Sequence, residues 1–193
     1  MIVSMEEIEA KFLNIDKVSF EEKLVSLGAK KIADYNYRRR NYDFPDGRLN
    51  DIDAWVRLRD EGDKITFTYK QRTGVTDDAL RDGSMKEIET TIGDFDIGDQ
   101  LLQAIGLRER IYKENKRTRY TLDGVEIDID TWPLIPPYVE IEGKSWEAVQ
   151  SVAEKVGFDW KDHVRGTNKL IYQQYDIDET SYSILTFDRQ VKK

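Results

Sequence analysis

The sequence predicts an α+β fold in which helices cover one face of an antiparallel sheet. Several segments alternate apolar and polar residues as half-buried strands do, and the short turns "EGD" and "DG" join two pairs of them as hairpins. Other segments carry apolar stripes at helical spacing, and these stripes must be covered by an apolar face of the sheet. The polar positions of the strands are often charged, and one sign of charge dominates each strand.

Helices are expected at residues 18–28, about 97–105, 145–157 and 166–176. In the first helix, Ser19 followed by Glu22 predicts a capping box, and Gly28 suits the C-terminal cap. In the third helix, Ser145 is the expected N-cap. No linker or low-complexity tract divides the chain, so we expect a single domain over residues 1–193.

Strands outnumber helices in this interpretation, and the hairpins favour an antiparallel sheet that can close into a barrel. If the helices lie outside a closed sheet, its charged face becomes the lumen. The expected strands are residues 5–13, 31–43, 54–60, 64–72, 86–92, 110–122, 125–132 and 138–144.

Composition limits the chemistry that this chain can perform. The formal net charge is -8 over 193 residues, which argues against binding to nucleic acid or to an anionic membrane. With no cysteine and one histidine, thiolate zinc sites, multi-histidine metal sites and histidine-based triads are excluded in practice. A metal would be held mainly by oxygen, which favours hard ions such as Mg²⁺, Mn²⁺ or Ca²⁺. No apolar run is long enough to span a membrane and no signal peptide is visible, so we expect a cytoplasmic protein.

The charged faces of the strands suggest a site for a polyphosphate with its metal. Carboxylates on strands can supply oxygen ligands to a divalent cation, and rows of Arg and Lys bind phosphate oxygens by charge-assisted hydrogen bonds. The ordinary alternative is an antiparallel sheet with one apolar and one solvated face. Segregation of the charges by strand favours the site. The carboxylate positions are 7–9, 87–89, 126–130 and 140–142, and the cationic positions are 57–59, 70 and 117–119.

An ordered series of short motifs resembles the CYTH superfamily, also called the triphosphate tunnel metalloenzymes. "EIEAKF" resembles its ExExK signature, "VRLR" its R-x-R strand, "TYK" its lysine strand and "KEIET" an E-x-E strand. "KRTRY" and "DIDTWPLIPPYVEIEG" resemble its later basic and acidic strands. The superfamily includes class IV adenylyl cyclases, thiamine triphosphatases and inorganic triphosphatases. The resemblance implies an eight-stranded antiparallel tunnel with helices outside.

The resemblance also implies roles for individual residues. Asn115 stands where the family often has a lysine, and Arg119 is a candidate to replace it. Asp130 is the better match for the family aspartate, and Asp128 and Glu126 are weaker ones. The residues expected to hold phosphate oxygens are Lys11, Arg57, Arg59, Lys70, Arg117 and Arg119, of which Lys11, Arg57 and Arg59 are also assigned to catalysis. The residues expected to hold Mg²⁺ or Mn²⁺ are Glu7, Glu9, Glu87, Glu89, Asp130, Glu140 and Glu142.

The function expected from these motifs is metal-dependent hydrolysis of a small triphosphate, such as inorganic tripolyphosphate. The same residues could serve an adenylyl cyclase, in which the 3′-hydroxyl of ATP replaces water as the nucleophile. Two further alternatives are a polyphosphate- or nucleotide-binding protein without turnover and a barrel whose charges form only salt bridges. The sequence is compatible with a homodimer. Tyr35, Tyr37 and Tyr42 in the second strand are further candidates near the site, with sheet packing as the simpler role.

Overall fold

The computed structural model describes residues 5–6, 8–73 and 84–193, without the side chains of residues 5, 6, 84 and 85. The helices are α1 (Lys17–Ser26), α2 (Phe95–Ala104), α3 (Trp146–Lys155) and α4 (Asn168–Gln173). The strands are β1 (Met5–Glu6), β2 (Glu9–Phe12), β3 (Lys30–Asp43), β4 (Ala54–Asp60), β5 (Ile65–Arg72), β6 (Ser84–Ile92), β7 (Arg108–Leu122), β8 (Val125–Thr131), β9 (Tyr138–Glu142), β10 (Tyr182–Leu185) and β11 (Gln190–Lys192).

The predicted helices are confirmed with small shifts of their ends. Ser145 caps α3 as expected, since its side chain accepts a hydrogen bond from the backbone N–H of Ala148. The N-terminal cap predicted for α1 is wrong, whereas Gly28 follows the C-cap residue with a positive φ, as expected. Asp16 is the N-cap there, and its Oδ1 accepts from the backbone N–H of Ser19 at 2.8 Å. Either side chain can cap a helix, and the start of the helix three residues earlier decides between them.

The chain folds as two compact units, each made of separate stretches of sequence. Unit 1 consists of Met1–Glu6, Asn36–Glu114 and Asn168–Lys193, and unit 2 of Glu7–Tyr35 and Asn115–Thr167. Within unit 1 the strands pair in the order β1-β6-β5-β4-β3, and within unit 2 in the order β7-β8-β9-β2. Strands β3 and β7 contribute residues to both units. The expectation of a single domain stays a prediction.

The predicted antiparallel sheet and the α+β class are confirmed, but the closed eight-stranded barrel is not. Among the described residues there are eleven strand segments, and hydrogen bonds do not close the strands of either unit into a ring. Two of the segments, β10 and β11, are absent from the sequence-based expectation. They are short, and β10 pairs with β7 in parallel, so the pairing that defines it is far away in the chain.

Each unit has its own apolar core between helices and one face of its strands. In unit 2, Phe20 and Leu24 of α1 and Val149 and Val152 of α3 pack on the apolar face of β2, β7, β8 and β9. In unit 1, α2 packs closely on β4 and on the end of β6, since a Cβ atom at Gly98 would overlap the Ile92 side chain and lie 3.3 Å from the Leu58 side chain. The predicted apolar stripes therefore do cover the apolar faces of the strands.

The opposite, charged face of the strands is also largely buried. Thr66 and Thr68 on β5 are fully buried, and Lys11, Asp128 and Asp130 are at most 3% exposed. A solvated sheet face would leave such side chains in water, so the simple alternative of one dry face and one wet face does not describe this protein. Buried charges require partners or ligands. Within the described part of the chain, we find no helix with the length and apolar character needed to cross a membrane.

Candidate functional site

In unit 2, the strand register brings the predicted charged residues together on one face. Glu9 lies opposite Glu142, and Lys11 lies opposite Glu140. On the other side of β9, Glu142 faces Glu126 and Glu140 faces Asp128. Directly opposed residues in an antiparallel pair project from the same face with their Cβ atoms about 5 Å apart. The ExExK strand and the last E-x-E strand therefore form one continuous charged surface.

Three carboxylates of this surface converge on one point. Glu9, Glu140 and Glu142 each place a carboxylate oxygen within 4.8 Å of the others. We call these three residues the carboxylate cluster. Like charges in neighbouring strand positions repel one another, and three oxygen donors at this separation fit around one hard divalent cation. The donor set thus agrees with Mg²⁺ or Mn²⁺, which sequence composition favoured.

Lys11 lies beside the carboxylate cluster and is almost fully buried. Its Nζ donates a short hydrogen bond to Glu9 and lies 3.9 Å from Oε2 of Glu140. Burial alone would lower the pKa of Lys11, but Glu140 and Glu9 outweigh it and raise that pKa, so the ammonium is kept charged. Burial and the neighbouring Glu140 raise the pKa of Glu9 well above its ordinary value. Burial opposes ionisation of Glu140 too, yet Lys11 and Arg117 lower its pKa to about 2.

Arg117 contacts three carboxylates of unit 2. Its Nε and one terminal nitrogen bind the two oxygens of Asp130 at 2.8 and 2.6 Å, in a bidentate pair. Its other terminal nitrogen donates to Asp128 at 2.6 Å, and the terminal nitrogen that binds Asp130 also lies 3.4 Å from Oε2 of Glu140. Burial would lower the pKa of Arg117, but these carboxylates together raise it well above its ordinary value. Asp130, predicted as a metal ligand, is thus held by Arg117, and its metal role stays a prediction.

Arg119 extends this network, as its in-phase position predicts. It binds both oxygens of Asp128 at 2.8 and 2.7 Å and Glu126 at 2.8 Å. Asn115, which replaces the family lysine, is 1% exposed on the same strand. The weaker sequence matches, Asp128 and Glu126, therefore hold the two arginines, and burial raises the pKa of Asp128.

In unit 1, a second group of predicted residues lies on one face of β4, β5 and β6. Arg57 is opposite Thr68, which is opposite Glu89, and Lys70 is opposite Glu87. Lys70 binds Glu87 at 2.9 Å, and the Thr68 hydroxyl donates to Glu89 at 2.8 Å. Glu87 and Glu89 thus contact cations and a hydroxyl, and neither belongs to the carboxylate cluster. We call Arg57, Arg59 and Lys70 the cation row.

Arg57 is the least satisfied member of the cation row. Its terminal nitrogen lies 3.6 Å from Glu89 and 3.9 Å from Glu87, beyond good hydrogen-bond distance. Its buried Nε has no hydrogen-bond partner among the described residues. Burial and the neighbouring Arg59 lower the pKa of Arg57 to about 10. A buried guanidinium with a spare donor is suited to an anionic ligand.

Arg59 binds a residue that the sequence analysis overlooks. Its Nε and a terminal nitrogen donate to Oε1 of Glu61 at 2.9 and 2.6 Å, and the Thr66 hydroxyl donates to the same oxygen at 3.2 Å. Glu61 is 8% exposed. The period of two through Arg57 and Arg59 reaches Glu61, so the signal was present, although position 61 lies just past the end of β4.

The tyrosines of β3 divide between the two faces of the strand. Tyr42 is fully buried in the apolar core of unit 1 and donates to Asp99, so a role for it in the site is wrong. Tyr37 lies on the opposite face, where the guanidinium of Arg59 is 5.2 Å from its ring centre. Glu7, the first predicted metal ligand, lies outside the described residues.

Comparison with known proteins agrees with the motifs. A family model described as the CYTH domain matches residues 5–167. No curated protein sequence matches significantly. Most of the predicted site residues that the structure describes fall in this span on two charged surfaces, one in each unit.

Solved structures resemble this chain in fold at low sequence identity. A proposed adenylate cyclase from Vibrio parahaemolyticus has a TM-score of 0.71 at 13% identity, covering 89% of this chain and 99% of that one. A conserved hypothetical protein from Pyrococcus furiosus has a TM-score of 0.66 at 22% identity, covering 85% and 99%. A proposed adenylyl cyclase from Hippeastrum, described as having a dominant triphosphatase activity, has a TM-score of 0.62 at 15% identity, covering 90% and 98%.

Proposed function

Because the chain belongs to the CYTH family, we propose that it is a metal-dependent hydrolase of a small triphosphate, with inorganic tripolyphosphate as the first candidate substrate. The observation that carries the proposal is the carboxylate cluster, whose three oxygens converge beside the buried ammonium of Lys11. This combination offers ligands to a divalent cation and a positive group to a phosphate oxygen. The triphosphatase activity described for the Hippeastrum protein is consistent with it.

The residues have separate tasks in this proposal. Glu9, Glu140 and Glu142 would hold Mg²⁺ or Mn²⁺, and the earlier assignments of Glu7, Glu87, Glu89 and Asp130 remain part of the proposed metal-binding set. Lys11, Arg117 and Arg119 in unit 2 and Arg57, Arg59 and Lys70 in unit 1 would bind phosphate oxygens. When bound, the metal supplies charge neutralisation and Lewis acidity at the phosphoryl group.

Hydrolysis requires a water molecule to attack a terminal phosphorus. The water oxygen forms the new P–O bond while the bridging P–O bond breaks, and the products are orthophosphate and pyrophosphate. A carboxylate of the site accepts the proton of the water. Lys11, Arg57 and Arg59 offset the charge that develops on the phosphoryl and leaving oxygens, which is the main protein contribution to phosphoryl transfer.

The test is product analysis with tripolyphosphate, thiamine triphosphate and ATP in the presence of Mg²⁺ or Mn²⁺. We expect orthophosphate release that requires metal. Cyclic AMP and pyrophosphate from ATP would replace the proposal with an adenylyl cyclase. Binding without any product would leave a polyphosphate-binding protein, and no binding would leave a purely structural charge network.

Two matched pairs of variants test the assigned residues. Glu9→Gln and Lys11→Ala are each expected to lower the hydrolysis rate by at least about a hundredfold, because each removes a charge next to the reacting group. Glu154→Gln and Lys155→Ala make the same chemical changes on the exposed side of α3 and should leave the rate within about twofold. Full activity in both Glu9→Gln and Lys11→Ala would contradict the proposed roles.

A further inference from the structure

The strand next to the cation row carries an arginine to which no phosphate-binding role has been given. In the β3–β4 pair, Arg39 lies directly opposite Arg59, and Asn41 lies directly opposite Arg57. Directly opposed residues share a face of the sheet, so Arg39 and Asn41 lie on the face of the cation row. All four residues belong to unit 1.

The two opposed arginines are held close to one aromatic ring. The guanidinium carbon of Arg39 is 5.6 Å and that of Arg59 is 5.2 Å from the ring centre of Tyr37, which is 6% exposed. Contact with the ring face favours each cation, but like charges in directly opposed strand positions repel. An anion bound between the two guanidinium groups would turn this repulsion into an attraction.

The neighbouring cross-strand pair has unused hydrogen-bonding groups. Nε of Arg57 and Oδ1 of Asn41 are both buried, and neither has a hydrogen-bond partner among the described residues. A buried polar atom without a partner is costly unless a ligand or water satisfies it. The spare donor of Arg57 is suited to a phosphate oxygen. The side-chain amide of Asn41 can contribute a donor or an acceptor, according to the orientation it adopts.

The geometry points to Arg39 as a further phosphate-binding residue, which together with Arg59 and Arg57 binds an extended polyphosphate along β3 and β4. Positions 57 and 59 are two residues apart on β4, so their side chains are separated by about 6.8 Å along the strand. A single orthophosphate is too short to engage both positions fully, whereas a chain of phosphoryl groups can. This inference rests on the proposed function for its substrate class, and it adds a residue that sets the preferred length of the phosphate chain.

The test measures binding of inorganic tripolyphosphate and orthophosphate by calorimetry in metal-free buffer containing EDTA. We expect Arg39→Gln to weaken tripolyphosphate binding about tenfold or more, the size expected for losing a charge-assisted hydrogen bond. Orthophosphate, which is too short to engage both positions fully, should lose at most about threefold by the same reasoning. Arg39→Lys keeps the charge without the planar fork and should fall between the wild type and Arg39→Gln.

Arg38→Gln is the matched control. Arg38 is the preceding residue of β3, its side chain is 44% exposed, and it binds Asp60 and lies over Phe95. Arg38→Gln should bind both anions as the wild type does. Unchanged tripolyphosphate binding in folded Arg39→Gln or in Arg39→Lys would overturn the inference, as would a wild type that binds neither anion. A wild type that binds tripolyphosphate but never hydrolyses it would remove the proposed function and leave the role of Arg39 to be decided by the same measurements.

Discussion

The charged surfaces of the two units differ in the sign of the charge that lacks a partner. In unit 2, six carboxylates share a face with Lys11, Arg117 and Arg119, and the cations are fully engaged; the carboxylates are Glu9, Glu126, Asp128, Asp130, Glu140 and Glu142. In unit 1, the buried group with too few hydrogen-bond partners is a cation. Arg57 has a buried donor without a partner among the described residues, and its pKa is lowered to about 10 by burial and by Arg59.

This difference indicates what each surface is built to receive. The surface of unit 2 has negative charge to spare and suits a divalent cation, and the surface of unit 1 has a positive group to spare and suits an anion. Stability measurements test this difference, because a buried charge without a partner destabilises the ligand-free protein, whereas removing one partner of a buried ion pair leaves the other charge uncompensated and is strongly destabilising.

Arg117 should show the largest effect. Arg117→Met removes the cation that holds the buried Asp130 and takes one of the cations from Asp128 and Glu140, so we expect the free energy of unfolding to fall by about 3–5 kcal/mol. Urea denaturation of the metal-free protein measures this. Arg38→Met, at an exposed ion pair, should change it by less than about 1 kcal/mol. Equal losses in the two variants would mean that Arg117 is no better paired than a surface arginine.

Metal binding should give the next largest effect, and it should depend on the carboxylate cluster. At a Mn²⁺ concentration a hundred times the Kd, the wild type should gain about 2.7 kcal/mol of stability. Glu142→Gln replaces one of the three carboxylates with a neutral amide, a much weaker ligand, and should abolish most of this gain, while Glu154→Gln should retain it. The melting temperature with and without Mn²⁺ measures both. A gain that survives in Glu142→Gln would place the metal elsewhere.

The two carboxylates with opposite pKa shifts should respond oppositely to neutralisation. The pKa of Glu9 is raised by burial and by Glu140, so its cost to the stability of the native state grows as the pH rises above the ordinary pKa of 4.5 and is complete above the raised pKa. Glu9→Gln should therefore stabilise the metal-free protein at pH 7. Glu140, with its pKa lowered to about 2 by Lys11 and Arg117 against the opposing effect of burial, stabilises the fold above its ordinary pKa of 4.5. Glu140→Gln should therefore be destabilising.

The acid limb of the stability curve provides a check on these signs. The contribution of Glu140 is fully present above its ordinary pKa of 4.5 and is lost as the pH falls towards about 2. Denaturation midpoints measured between pH 5 and 2 should fall steeply in the wild type and less steeply in Glu140→Gln. If Glu9→Gln and Glu140→Gln both destabilise at pH 7 to the same extent, the proposed division of charge within the cluster is wrong.

Arg57 should show the smallest effect on stability. Because its donors are poorly used, Arg57→Met should change the free energy of unfolding by no more than about 1 kcal/mol, in contrast to Arg117→Met. The same variant should bind tripolyphosphate at least about tenfold more weakly, since it removes a guanidinium from the anion site. A large loss of stability with unchanged binding would make Arg57 a structural residue.

Local sequence patterns predicted much of this protein. Periods of two and 3.6 located the helices and most strands, and the alternation in "VRLR" and "VEIE" assigned the charged and apolar faces correctly. The same patterns misplaced the N-terminal cap of α1 and gave no indication of β10 and β11. An N-cap depends on where the helix starts, and a short strand depends on a distant pairing partner. A few adjacent residues determine neither of them.

The sequence by itself determined the kinds of chemical groups present: oxygen ligands without cysteine or multiple histidines, cations in phase along strands, and apolar stripes to cover one face of the sheet. Only the tertiary structure decided which charges are paired. Cross-strand register places Arg117 within hydrogen-bond distance of Asp130 and Asp128. It also brings together the carboxylates of Glu9, Glu140 and Glu142, and it leaves Nε of Arg57 without a partner among the described residues. Pairing depends on distances between strands that are far apart in the chain. Burial lowers the local dielectric and so increases the interaction energy of two charges at a given distance.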